Sequence, residues 1–205
     1  MNQRLVWNFE FSFPTTTFQP EILIDEKSED IKWEVRFFWP DEEIIILNPI
    51  DNSLLDLANY QRKHREDYYF LLPGSDYNIK RRHHKLLYKP LLKQSKLAFG
   101  FTTKLSIPSL DEDVKKSSPH LQEIAHRVAT EGKEVYVKKE ALIYKFPSTP
   151  RVKLELARLK VDKKIYYSAC IEGKSRALVE CIAEHLLDKR VSCQYVTFLK
   201  NILHL

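Results

Sequence analysis

Basic and aromatic residues are interleaved with apolar ones between residues 77 and 93, in the stretch YNIKRRHHKLLYKPLLK. The pattern predicts two β-strands joined by a tight polar turn at His83-His84. Because side chains alternate between the two faces of a strand, Lys80 and Arg82 share one face of the first strand. If Lys89 on the second strand points the same way, the hairpin carries a concentrated cationic surface. Such a surface suits phosphate or another anion.

A second alternating pattern lies at 31–39. One face of this predicted strand is apolar: Trp33, Val35, Phe37 and Trp39. The opposite face is mostly charged: Lys32, Glu34, Arg36 and Phe38. A charged face is expected on the wet side of an antiparallel sheet, and equally on the polar inside of a closed barrel. The pattern alone leaves both interpretations open.

Composition indicates a folded, mildly basic chain. Of its 205 residues, 43% are hydrophobic and 12% aromatic, and the net charge is +5. These values favour one globular domain and lean towards anionic partners. Three widely spaced cysteines fit a reducing compartment, and no apolar run reaches membrane-spanning length. We therefore expect a cytoplasmic protein that does not associate with membranes.

The remaining elements follow from periodicity and turn residues. Further strands are predicted at 5–13, 20–24, 97–104, 134–146, 152–160 and 164–172. Helices are predicted at 54–61, 118–130 and 174–187. The tail, 191–205, is apolar enough to pack as a strand, a helix or both. About eight mostly antiparallel strands predict an α+β fold, an eight-stranded β-barrel or tunnel with a polar interior and flanking helices.

Several short motifs follow one another in a recognisable order over residues 31–188. They are Lys32-Trp33-Glu34-Val35-Arg36, Asp67-Tyr68-Tyr69, Lys80-Arg81-Arg82, Leu87-Tyr88-Lys89, Lys139-Glu140-Ala141 with Tyr144, Leu154-Glu155-Leu156-Ala157, and Cys170-Ile171-Glu172. This order resembles the CYTH superfamily of triphosphate tunnel metalloenzymes. That family includes thiamine-triphosphatases, inorganic tripolyphosphatases, class IV adenylate cyclases and RNA triphosphatases. The resemblance implies one domain over 1–205, with 1–30 and 189–205 as extensions.

In that family carboxylates hold Mg²⁺ or Mn²⁺ and basic residues hold the triphosphate. Hard cations take oxygen ligands, and polyphosphates are bound by convergent Arg and Lys side chains. The resemblance implies that Glu34, Glu155 and Glu172 bind the metal, with Glu34 and Glu172 as catalytic residues. It also implies five phosphate-binding residues: Arg36, Lys80, Arg82, Lys89 and Lys139.

Four positions depart from the family pattern. Lys32 and Cys170 stand where the family has Glu, Ala157 where it has Asp, and Ala141 where it has Arg. The basic half of the site is therefore better preserved than the acidic half. One metal can still be held by the remaining acids, but a two-metal arrangement is not expected.

Three functions stay open. In the first, the chain is a metal-dependent phosphohydrolase acting on a nucleoside triphosphate, tripolyphosphate or thiamine triphosphate. In the second, it binds a polyphosphate or nucleotide without turnover. Whether it is an enzyme therefore stays open too. Alternatively, hairpin 77–93 is a nucleic-acid or protein contact surface on an ordinary α+β domain. A tunnel predicts that the charges face inward, whereas a nucleic-acid surface predicts a steep dependence of binding on salt.

Overall fold

The computed structural model describes residues 2–13, 30–108, 118–187 and 190–205. Within these residues the strands are β1 Gln3–Val6, β2 Phe9–Phe11, β3 Lys32–Pro40, β4 Ile45–Leu47, β5 Gln61–Leu71, β6 Asn78–Arg82, β7 Lys85–Lys89, β8 Leu91–Gln94, β9 Phe99–Phe101, β10 Leu105–Ser106, β11 Lys133–Lys145, β12 Val152–Val161 and β13 Lys164–Gly173. The helices are α1 Pro119–Glu131, α2 Arg176–Leu187 and α3 Tyr195–Leu203. The strand predicted at 20–24 lies outside the described residues.

Ten strands form one antiparallel sheet in the order β10-β7-β6-β5-β11-β12-β13-β3-β9-β8. Only Pro90 separates β7, next to one end of this order, from β8 at the other end. The two edges of the sheet are therefore joined through one bent strand. The Thr102 amide donates a hydrogen bond of 3.2 Å to the Pro90 carbonyl oxygen at this bend. With β7 and β8 counted together and the two-residue β10 left out, the curled sheet has the eight strands that the sequence predicts. The predicted fold class is confirmed.

The outer face of the curled sheet is covered by three other elements. The apolar side of β3 packs in one cluster with the small sheet β1-β2-β4 and helix α2. Helix α1 covers β6 and β7 through Ile124 and Val128, which pack with Ile79 and Tyr88. Each fully buried side chain of this size contributes about 1.5–3 kcal/mol to folding. Because the apolar residues face outward into these clusters, the alternate charged residues must face inward.

Helix α3 fills one end of the inner face. Its residues Tyr195, Val196, Phe198 and Leu199 pack against inner residues of β5, β11 and β12. Phe38 stacks on Phe198 with ring centroids 3.9 Å apart, and Tyr69 stacks on Tyr195 at 4.8 Å. The predicted ambiguity of the tail is thus resolved as helix. The inner face is apolar at the end covered by α3 and charged at the other end.

Two predicted elements were wrong. The α-helix predicted at 54–61 is replaced by two short 3-10 turns, Asn52–Leu55 and Leu57–Asn59, and by the first residue of β5. Asp51 and Asp56 accept hydrogen bonds from the amides two residues further on, which favours turns over helix. The predicted strand at 5–13 is a hairpin, because Trp7 has a positive φ of 49° between β1 and β2.

The basic hairpin was predicted correctly. Residues 83 and 84 have φ of 46° and 65°, as in the two-residue turns whose twist matches that of the flanking strands. The turn fixes the register, so that Arg82 lies opposite Lys85 and Asn78 opposite Lys89.

Candidate functional site

The charged end of the inner face lines a partly open cavity of about 350 Å³. All of the site residues predicted from the sequence line it: Glu34, Arg36, Lys80, Arg82, Lys89, Lys139, Glu155 and Glu172. They come from six strands, and each points inward because its sequence neighbours are in the outer core or exposed. The structure therefore brings together every residue that the resemblance implied for the site.

Glu155 is the centre of a buried charge network. The Lys139 ammonium lies 2.7 Å from its carboxylate, Arg36 lies 3.3 Å away, and Arg65 3.9 Å away. Arg36 also donates a hydrogen bond of 3.1 Å to Ser168 Oγ. Burial opposes the charge on Glu155, but the attraction of Lys139 and Arg36 outweighs it and holds the pKa of the carboxyl well below its usual range. Glu155 is therefore a fixed anion within a group of cations.

The two other predicted metal ligands have cations of their own. Glu34 forms an ion pair with Lys89, whose ammonium also lies 4.1 Å from the centre of the Phe101 ring. Burial favours the neutral form of Glu34, yet Lys89 and Arg36 lower its pKa to about 2. Glu172 lies between two lysines, with Lys32 at 2.7 Å and Lys153 in direct contact.

A further acid, Asp67, holds the hairpin cations in place from the neighbouring strand β5. Arg82 donates two hydrogen bonds to its two carboxylate oxygens, and Lys80 lies 3.0 Å from it. Asp67 is only 4% exposed, so these contacts are shielded from water. They fix both cations on the inner side of the sheet, where the side chains of Lys80 and Arg82 are only 12% and 18% exposed.

Positive charge is in excess along the cavity wall. The wall carries nine Lys or Arg side chains and three carboxylates. Burial, only partly offset by Asp67, lowers the pKa of Lys80 to about 7. Burial and repulsion from Lys32 lower the pKa of Lys153 to about 8. Burial and the surrounding cations also lower the pKa of Lys104. Even with Asp67 counted as a fourth acid, Lys and Arg side chains outnumber the carboxylates, so the cavity has an excess of positive charge.

The acids do not fit a directly coordinated metal in this arrangement. Within the described ranges, no group of three His, Cys, Asp or Glu side chains is placed to hold an ion. Oxygen atoms of Glu34, Glu155 and Glu172 instead contact ammonium or guanidinium groups. The Mg²⁺ or Mn²⁺ that the resemblance implies stays a prediction, and no step below passes through it.

Several residues of the wall were missed from the sequence. Arg65 and Lys153 lie two residues from Asp67 and Glu155 on the same strands, so strand alternation was a usable signal. Lys104 and Tyr195 come from the β9–β10 connection and from α3, which have no such periodicity. Tyr195 reaches the wall because the Cys193 amide donates a hydrogen bond of 2.8 Å to the Arg36 carbonyl oxygen, which joins this segment to β3.

Comparisons with known proteins add little. No family model and no curated protein sequence matches the chain. Among solved structures, the crystal structure of a "putative adenylate cyclase" from Bacillus halodurans aligns with a TM-score of 0.41 and 10% sequence identity. The alignment covers 86% of this chain and 91% of that one. A likeness at this level carries no argument about the ligand.

In the described residues, no helix is long and apolar enough to cross a membrane.

Proposed function

We propose that this chain binds one small molecule that carries a triphosphate or a similar chain of phosphates, inside the cavity of its curled sheet. The observation that carries the proposal is the excess of basic groups: nine Lys or Arg side chains line a cavity of about 350 Å³ with three carboxylates, and Asp67 adds a fourth acid beside Lys80 and Arg82. Small-molecule sites usually enclose about 300–1,000 Å³. A compact polyanion would balance this field, whereas a single monovalent anion would leave most of it uncompensated.

The direction of the hairpin cations favours a small anion over a nucleic acid. Lys80, Arg82 and Lys89 line the cavity, and none of these side chains is more than 18% exposed. A nucleic-acid strand needs cations along an open surface that its backbone can follow. An enclosed group of cations instead suits phosphates that enter the cavity, where bidentate and charge-assisted hydrogen bonds are strongest.

Binding is a better supported conclusion than hydrolysis. The acids expected to hold a metal, Glu34, Glu155 and Glu172, are held in ion pairs. The catalytic roles predicted for Glu34 and Glu172 therefore stay predictions. Phosphate release from the bound ligand, measured with Mg²⁺, with Mn²⁺ and with EDTA, is the assay that tests them.

The test of binding is isothermal titration calorimetry with phosphate, pyrophosphate, tripolyphosphate and ATP. Affinity is expected to rise with the number of phosphates, with one ligand bound per chain. Arg65→Ala should weaken tripolyphosphate binding about tenfold or more, because Arg65 lines the cavity. Arg62→Ala is the matched control, since Arg62 lies on the same strand but is exposed on the other face.

Two results would contradict the proposal. One is an absence of tripolyphosphate binding at low salt in a folded protein. The other is equal weakening by Arg62→Ala and Arg65→Ala, which would indicate a diffuse effect of net charge. Strong, steeply salt-dependent binding of single-stranded RNA, together with weak tripolyphosphate binding, would favour the nucleic-acid interpretation.

A further inference from the structure

Glu172 lies between two ammonium groups at the mouth of the cavity. Lys32 Nζ is 2.7 Å from one carboxylate oxygen, and Lys153 contacts the other. In the family that the sequence resembles, the position of Lys32 is a glutamate. Two acids around a shared cation are expected there, but this chain has one acid between two built-in cations. A base therefore stands where the resemblance implies an acid.

The same pairing recurs at the two other acids of the wall. Glu155 has Lys139 at 2.7 Å and Arg36 at 3.3 Å, and Glu34 has Lys89. Each carboxylate that the resemblance assigns to a metal is thus neutralised by at least one amino-acid side chain. A metal could bind only by displacing these cations or by lying directly beside them. Both are unfavourable in a cavity that already has excess positive charge.

An ammonium group can do what a bound metal would do at this place. It carries three hydrogen-bond donors in different directions. One donor can be used on the carboxylate, which leaves two for a phosphate oxygen on the side that faces the cavity. Lys32, Lys153 and Lys139 line the cavity as well as contacting an acid, so each is placed to bridge carboxylate and phosphate.

From this geometry we infer that lysine ammonium groups, chiefly Lys32, Lys153 and Lys139, take the place of a divalent metal, and that the cavity holds its phosphates without Mg²⁺ or Mn²⁺. The part of this inference that concerns the ligand rests on the proposed function. The part that concerns the metal applies to the free protein. The two parts are therefore tested by separate measurements.

The first measurement is a titration of the ligand-free protein with Mn²⁺. The electron paramagnetic resonance signal of the free ion reports how much Mn²⁺ has been bound. No saturable binding is expected up to millimolar Mn²⁺. Stoichiometric micromolar binding that is lost in Glu172→Gln would overturn the inference, whatever the outcome for phosphates. Circular dichroism spectra of the same samples show whether each variant is folded.

The second measurement is tripolyphosphate affinity in EDTA and in Mg²⁺. The dissociation constant in EDTA should be no weaker than in Mg²⁺, because the wall itself supplies the positive charge. An affinity at least tenfold weaker in EDTA would overturn the inference while leaving the proposed function intact. If tripolyphosphate binds in neither condition, the proposed function fails, and the Mn²⁺ titration alone decides the metal part.

A gain-of-function variant makes the test specific. Lys32→Glu removes one ammonium group from Glu172 and places a second carboxylate beside it, so this variant should acquire Mn²⁺ binding. The matched control is Lys174→Glu, which makes the same change of charge at an exposed residue on the adjoining rim. A folded Lys32→Glu that binds Mn²⁺ no better than Lys174→Glu would contradict the claim that Lys32 stands in the place of a metal.

Discussion

Removal of the Lys104 ammonium group tests the idea that the cavity wall has excess positive charge. Lys104 lies in the connection between β9 and β10 and lines the cavity. In the part of the chain that the structure describes, no acid forms an ion pair with it. Partial burial lowers its pKa, and repulsion from Arg82 and Lys89 adds to the effect. Lys104→Ala should therefore weaken ligand binding without destabilising the free protein.

The expected loss of binding free energy in Lys104→Ala follows from the contact that is lost. A hydrogen bond between charged groups contributes about 1.5–3 kcal/mol. Lys104 is exposed, so solvent screening reduces its contribution to the lower end of this range or below. A loss of about 1.4 kcal/mol corresponds to a tenfold increase in the dissociation constant for tripolyphosphate. The thermal midpoint of the free variant should be equal to or above that of the wild type, because a repulsive charge has been removed.

The assay is calorimetry with tripolyphosphate at about 0.15 M ionic strength, with thermal unfolding of the same samples. Lys85→Ala is the control, since Lys85 is exposed at the turn of the hairpin and makes the same change of net charge. Affinity within twofold of the wild type in Lys104→Ala would refute the reasoning. So would a large fall in the thermal midpoint, which would mean that Lys104 stabilises the free protein.

Three other outcomes are expected. Lys80 faces Asp67, Tyr69, Arg82 and Lys139, and its pKa is about 7 in the folded protein. In the unfolded chain its pKa is near the ordinary 10.5. Between these two pH values the unfolded chain therefore binds more protons than the folded protein. The free energy of unfolding should then rise by about 1.5 kcal/mol from pH 7 to pH 8.5 in urea titrations, and Lys80→Met should flatten this slope. Phe198→Ala should lower the free energy of unfolding by about 3–5 kcal/mol in the same titrations, because the ring is stacked and buried; a loss below about 1 kcal/mol would contradict the packing of α3. ATP should bind at least about fivefold more tightly than thiamine triphosphate, because the adjoining pocket is lined by five Lys or Arg side chains and only two acids, a balance that repels a cationic organic group. Equal affinities in a competition assay would contradict this.

Strand alternation is what made the site predictable. The period of two places Lys80 and Arg82 on one face, and Glu34 and Arg36 on one face, and the structure has each pair on the cavity wall. The same rule applied to every strand would have added Arg65 and Lys153. The sequence could not decide whether the charged face was wet or enclosed, because that depends on how far the sheet curls. Lys89 on β7 contacts Glu34 on β3, and only the tertiary structure reveals that the two strands approach each other.

Local sequence misled where a side chain competed with the backbone. Residues 54–61 contain good helix formers, but Asp51 and Asp56 bind amides two residues ahead and stabilise turns instead. The alternation at 5–13 was real, yet it did not reveal the turn at Trp7. Neither wrong prediction affects the description of the cavity, because no residue of either segment lines it.

The four residues at which this chain differs from the pattern it resembles have two different surroundings in this structure. Ala141 and Ala157 are 3% and 0% exposed and belong to the apolar cluster that includes α3. Charged side chains at these positions would be buried beneath that helix without water, at a cost of several kcal/mol each. The alanines therefore fit the packing of α3 against the inner face and give no information about catalysis. Lys32 instead lines the cavity and changes the charge of its wall, whereas Cys170 is buried opposite Glu155 and Arg36 on the neighbouring strands. Lys32 supplies an ammonium group to Glu172, and burial raises the pKa of the Cys170 thiol to about 11, so this side chain is neutral at pH 7. Together these two residues leave fewer acids for a metal, and Lys32 adds positive charge for a phosphate.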